Sequence, residues 1–350
     1  MKREKKQKKI RLTSLPNSTY IFIIMFVFLS LAVKNFFTAA NLSNLILQAT
    51  PLIIISVGMS LVIMSGELDL SVGGIISMSG VAAAMILRTG AHWAIAILGA
   101  LGIGLVYGLF NGLVVHKMKV SAFIATFGSM GIAQSLANTL SGKRTVYWDP
   151  SPDNAAIDLM NQNIVALKLG SRTVDVLSLS VIPVVCIVIV ALILSAFQKT
   201  VLGTYVYAVG HNQETARLAG INVNRVKIGI FVLSGLLAGV AGCLLMIRTE
   251  CVQPTMGEGL EFYAVVASVL GGNVLTGGKG SIPGTIMGAF VIYAIRNAMV
   301  LAGFTTFAVM VATGLALIFG MMVNMTVESA VGKRKMNGNK GVAWGEGEVH

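Results

Sequence analysis

Leu202-Gly-Thr-Tyr-Val-Tyr-Ala-Val-Gly-His-Asn-Gln-Glu-Thr-Ala-Arg-Leu-Ala-Gly-Ile-Asn-Val-Asn-Arg-Val-Lys227 is the longest polar passage of this chain that lies between two strongly apolar blocks and also reads as an ordered element. Asn212 is placed to cap a short helix, Glu214 falls in its positive first turn, and Gly220 can close it in the left-handed conformation. About two turns lie between those caps, with Ala216, Leu218 and Ala219 as the only apolar contacts. A helix so short does not hold in water by itself, so it is expected to dock on something. The plain alternative is an ordinary capped loop between membrane helices.

Outward from this passage the chain is apolar almost everywhere. Of the 350 residues, 55% are hydrophobic and 11% charged, against about 25% charged in a soluble domain. Stretches long enough to span fall near 20–37, 43–64, 70–87, 93–115, 120–141, 176–197, 226–247, 262–277, 283–302 and 304–324. The third and eighth of them are short. With the N-terminus in the cytoplasm and the sides alternating, 18 of the 26 Lys and Arg fall inside. The passage 199–227 is among the inner segments, whereas 142–175 lies outside. This is the positive-inside pattern. We therefore expect an all-α, polytopic integral membrane protein of about 10 transmembrane helices, both termini cytoplasmic, although eight would keep the same sidedness. Residues 1–19 form a basic cytoplasmic segment, 20–324 the membrane domain, and 325–350 a cytoplasmic tail. Two five-span halves, 1–141 and 176–324, would be related by inverted topology.

The +12 net charge follows this sidedness and does not point to nucleic acid. Glycine rows such as Gly104-x-x-x-Gly108 and Gly235-x-x-x-Gly239 read as helix packing. Cys186, Cys243 and Cys251 are odd in number and lack metal-like spacing. The four histidines are scattered, and no Gly-x-Ser-x-Gly elbow occurs, so neither a metal site nor a catalytic residue is expected. The run Gly277-Gly-Lys-Gly280 fails as a phosphate loop, which would need Gly at Asn273 and Ser or Thr at Gly280. No ATP site is encoded, and no cofactor is expected in this chain.

Three further stretches carry polar groups into apolar surroundings. Asp69 and Ser71 lie in Gly66-Glu67-Leu68-Asp69-Leu70-Ser71-Val72-Gly73, where either could cap the next span. Because carboxylates near the hydrocarbon are costly, Glu67 and Asp69 must face water or protein. Phe123 and Thr126 are three apart on one helical face. That pairing suits stacking and hydrogen bonding to a sugar, or an ordinary helix contact. Gln48, Gln134 and Asn138 should line a cavity or pair across helices. Arg296, inside a span, either snorkels outward or pairs with a carboxylate.

Four of these stretches together resemble the permeases of ATP-binding-cassette sugar importers, the ribose-permease type, over about residues 42–324. Gly210 to Val223 is similar to that family's coupling motif. Asp69 to Gly73 matches its Asp-Leu-Ser-Val-Gly, with Glu67 where Gly is usual. Val120 to Thr126 resembles its Val-x-Ala-Phe-Ile-Ala-Thr. Val269 to Asn273 and Gly277 to Gly280 match closely, while Tyr263 stands where ribose-type members often carry Asp. The resemblance implies that Gly210, Asn212, Glu214, Ala216, Arg217, Leu218 and Gly220 couple to a separate cytoplasmic ATPase subunit, which binds the ATP. For such a permease we expect Asp69, Ser71, Phe123, Thr126, Gln48 and Asn273 along the substrate pathway. The resemblance also implies an extracytoplasmic sugar-binding protein, a second permease copy or paralogue, and a prokaryotic plasma membrane. A secondary transporter driven by an ion gradient, with Asp69 and Glu67 carrying protons, is the alternative.

Overall fold

The computed structural model describes residues 17–148, 159–168, 176–305 and 307–312, with isolated positions as far as 322. The basic N-terminal run, the tail and nine of the 21 residues of the expected tenth span, 304–324, lie outside the described residues.

The elements in chain order are α1 (Asn17–Ala32), α2 (Ala39–Met64), α3 (Val72–Arg88), α4 (Trp93–His116), α5 (Ala122–Ser141), β1 (Asn163–Lys168), β2 (Val176–Ser180), α6 (Val181–Lys199), α7 (Val201–His211), α8 (Gln213–Leu218), α9 (Val223–Thr249), α10 (Leu260–Leu270) and α11 (Ile282–Leu301). Among the described residues, five helices are long and apolar enough to cross a membrane: α2, α4, α6, α9 and α11. The all-α membrane class fits, with one local addition. Within and just after the expected outer loop, β1 and β2 pair antiparallel, Lys168 opposite Val176 and Asn163 opposite Ser180. The span expected at 176–197 accordingly begins only at Val181.

Helices apolar all round are buried or face lipid, and both cases occur. α2 is buried along most of its length and forms the centre, whereas the still more apolar α6 leaves most of its surface exposed. α4 and α9 meet along the glycine rows. A β-carbon on Gly104 or on Gly235 would overlap the other's carbonyl, so the two backbones touch.

The two short spans are short for a structural reason. α2 and α9 run antiparallel: Gly58 faces Ser234, and Glu67 bonds Lys227. Two residues on from Glu67, Asp69 bonds Ser234, seven residues or about 10 Å further along α9. The chain from 65 to 71 therefore climbs back into the bundle, and α3 starts inside it. From the opposite end, 250–259 descends beside α3, Met256 against Gly80 and Gly257 against Gly73, and α10 starts there.

Exchanging α2, α3 and α4 for α9, α10 and α11 maps the main contacts onto one another. α4 packs on α9 as α11 packs on α2, and α3 packs on α9 as α10 packs on α2. Since α2 and α9 are antiparallel, these units are inverted. The repeat begins at α2 and at α9, and β1 through α8 stand between its copies.

Candidate functional site

The passage around Gly210 forms two helices. α7 ends at His211, and Asn212 caps α8 by accepting a hydrogen bond from the Thr215 amide at 3.0 Å. At the other end the Ile221 amide donates to the Ala216 carbonyl while Gly220 takes φ +82°, a Schellman closure. Glu214 and Arg217 form an exposed ion pair at 2.6 Å, of small energetic weight. Leu218 is 89% exposed, an isolated apolar side chain at the tip of a polar loop. Ala216 is placed otherwise than the sequence suggested. It is 3% exposed, packed against Val209 and Val223 of its own loop. It seats α8, and the side chains this helix leaves exposed include Glu214, Arg217 and Leu218.

Gly210 fastens this loop closely to the bundle. A β-carbon at Gly210 would run into the Met64 carbonyl and the Gly278 amide. That amide donates to the same Met64 carbonyl at 2.9 Å. Tyr207 donates its hydroxyl to the Gly280 carbonyl at 2.9 Å, and burial raises its phenol above the ordinary value, so it remains a donor. The end of α2, the end of α7 and the loop between α10 and α11 thus share one junction. Sequence reasoning missed Tyr207, because its partner lies 73 residues away.

Deeper in, Asp69 is fully buried. Its Oδ1 accepts from the Ser71 amide and hydroxyl, and its Oδ2 from the Ser234 hydroxyl at 2.8 Å. The Ser71 hydroxyl in turn accepts from Asn111 Nδ2 at 2.8 Å. Ser71 stands at the N-cap of α3 without a side-chain capping bond, so neither residue caps the helix in the expected manner. Asp69 instead ties the α2–α3 turn to α9, and Ser71 ties it to α4. Thr126 belongs to the same node, accepting from the Leu70 amide at 3.1 Å and donating to the Ala122 carbonyl. Glu67, unusual in its motif, bonds Lys227 at 2.6 Å, and that lysine is 1% exposed.

The other expected pathway residues are dispersed. Asn273 is buried and committed to Ser268, Thr285 and the Ser281 amide, closing the α10–α11 loop. Phe123 is 55% exposed and stacks on Phe127, facing away from the bundle. Gln48 is half-buried on α2, many turns from Asp69. Among the described residues Arg296 meets no carboxylate; it lies over the rings of Tyr263 and Tyr293, at 5.2 and 5.6 Å. His116 is buried in the last turn of α4 beside Phe231.

Residues 41–326 match the family described as "Branched-chain amino acid transport system / permease component". The chain is 35% identical over 312 residues to the ribose import permease protein RbsC of Escherichia coli (strain K12), covering 88% of this chain and 92% of that one. It is 32% identical over 301 residues to RbsC of Bacillus subtilis (strain 168), with 86% and 89% covered. To the L-arabinose ABC transporter permease protein AraH of Azospirillum brasilense it is 34% identical over 289 residues, with 82% and 80% covered.

Proposed function

The chain belongs to the family described as "Branched-chain amino acid transport system / permease component", and from that premise we propose that it is the membrane permease subunit of an ATP-driven importer of a monosaccharide. The relatives named for ribose and arabinose support a sugar as cargo. In this reading an extracytoplasmic binding protein delivers the sugar, two permease chains form the pathway in a bacterial inner membrane, and a separate cytoplasmic ATPase does the chemistry. This chain makes and breaks no covalent bond.

The observation that carries the reading is the junction at Gly210. A partner that engages Leu218, Glu214 and Arg217 and moves α8 moves α7 with it. Because Gly210 lies against Met64 and Gly278 with no side chain between, the displacement reaches the end of α2 and the α10–α11 loop directly. The Glu67–Lys227 and Asp69–Ser234 bonds then join the α2–α3 turn to α9 at two depths. The partner's closure becomes a shift between two packings of the repeats, and its size is bounded by the partner's differential affinity for them. The test is uptake of labelled ribose into proteoliposomes holding this chain with its ATPase and binding protein. Uptake that requires ATP and both partners is the expected result. Uptake by the chain alone under a proton gradient would establish the secondary transporter instead.

A further inference from the structure

A cavity of about 400 Å³ lies between the start of α3, the outer half of α5 and the start of α10, with Gly73, Gln134, Ser135, Asn138, Glu258 and Glu261 among its walls. Such a volume suits a small ligand. One carboxylate in it is out of place. Glu261 is 3% exposed; its Oε1 accepts from the Gly259 amide at 3.2 Å, but its Oε2 has no hydrogen-bond donor among the described residues. Burying a carboxylate oxygen without a donor is costly, and an apolar side chain of the same length would fill the space. Room for it has nevertheless been left: a β-carbon at Gly73 would collide with Oε2. On the facing wall Gln134 Nε2 donates to the Pro254 carbonyl at 2.6 Å and Asn138 Nδ2 to the Gln134 carbonyl at 2.9 Å. Both amides keep their side-chain oxygens as further acceptors.

We infer that this cavity is a subsite for the hydroxyl groups of a neutral sugar in passage, with Glu261 accepting from the sugar and Asn138, Gln134 and Ser135 completing the lining. The inference rests on the importer reading. An acceptor-rich, negatively charged wall favours a ligand made of O–H donors and rejects sugar acids and sugar phosphates by like charge. Glu261 went unnoticed in the sequence, although the signal was the one Asp69 gave, a carboxylate at the edge of an apolar stretch.

The test uses the permease reconstituted with its ATPase and binding protein, and labelled ribose as probe. Glu261→Met keeps the length and removes the carboxylate; Ser135→Phe, at an exposed position on the wall, fills the space without touching Glu261. Both variants are expected to retain normal ATP hydrolysis stimulated by the binding protein, while ribose uptake falls by about tenfold or more, as when a site loses the acceptor for a substrate hydroxyl. Glu261→Met should also unfold no earlier than the wild type, because it removes an unsatisfied buried group. Wild-type uptake by both variants would overturn the subsite and leave the importer reading intact. A wild-type complex without ATP-dependent uptake would overturn the reading, and the subsite with it. Sodium-dependent uptake that becomes sodium-independent in Glu261→Met would overturn the sugar subsite in favour of a cation site.

Discussion

Asp69 accepts three hydrogen bonds at a place where no water is needed to satisfy it. The chemistry those bonds require is acceptance, not charge. In Asp69→Asn the side-chain oxygen can keep both bonds from Ser71, and the Ser234 hydroxyl can turn to accept from the new amide. We expect a loss of about 1 kcal/mol in stability and substantial uptake. Asp69→Leu strands the Ser71 amide and two hydroxyls and should cost about 2–5 kcal/mol, in the range seen for breaking buried networks. Thermal unfolding in detergent and uptake in cells check both; complete loss of uptake by the Asn variant at normal membrane levels would give the charge a role of its own, as a proton carrier has. The Glu67–Lys227 pair makes a second, asymmetric case. Lys227 is buried and Glu67 is one-fifth exposed at its side chain. Glu67→Met leaves a buried cation alone and should cost about 3–5 kcal/mol. Lys227→Met leaves a carboxylate that can turn to water and should cost less, and equal losses in unfolding would refute this account of the pair.

At the scale of elements, α8 shows what local sequence can and cannot reveal. Asn212 and Gly220 were legible because a cap and a left-handed closure act within four residues of themselves. The burial of Ala216 was not, since it depends on Val209 and Val223 arriving from two other helices. That difference decides the useful variant. Ala216→Arg would unseat α8 within its own chain, so its failure would say nothing about a partner. Leu218→Asp changes only an exposed side chain, and such changes usually leave stability within about 0.5 kcal/mol. It is expected to insert and unfold like the wild type, yet to lose the ATPase on purification and with it uptake; normal retention of the ATPase would remove Leu218 from the contact. The β-hairpin was hidden for a different reason. Val176-Leu-Ser-Leu-Ser180 alternates as a strand does, but it runs without a break into the 19 residues of α6, and the apolar window absorbed it. α3 and α10 were recognisably short in the sequence, but that the turns before them re-enter the bundle emerges only from contacts with α9 and α3.

At the scale of the whole molecule, sidedness follows from one helix. α9 has 27 residues, about 40 Å at the rise of an α-helix, against a hydrocarbon core of about 30 Å. If it crosses, whatever precedes its start and whatever meets its end lie on opposite faces. Gln213 is exposed on α8, just before the start. Tyr147 is exposed next to Val146, which pairs with Val252 three residues beyond the end. The two positions therefore report the two ends of α9, one from its own approach and one from a distant part of the chain. From the excess of basic residues around 199–227 we expect Gln213 to lie in the cytoplasm. In a background lacking Cys186, Cys243 and Cys251, Tyr147→Cys should react with a membrane-impermeant maleimide added to intact cells. Gln213→Cys should react only after the membrane is opened. Both substitutions are at exposed side chains, so neither should alter membrane levels. Reaction of both from outside would mean that α9 does not cross; α8 could then meet no cytoplasmic ATPase, and the junction at Gly210 would have nothing to transmit.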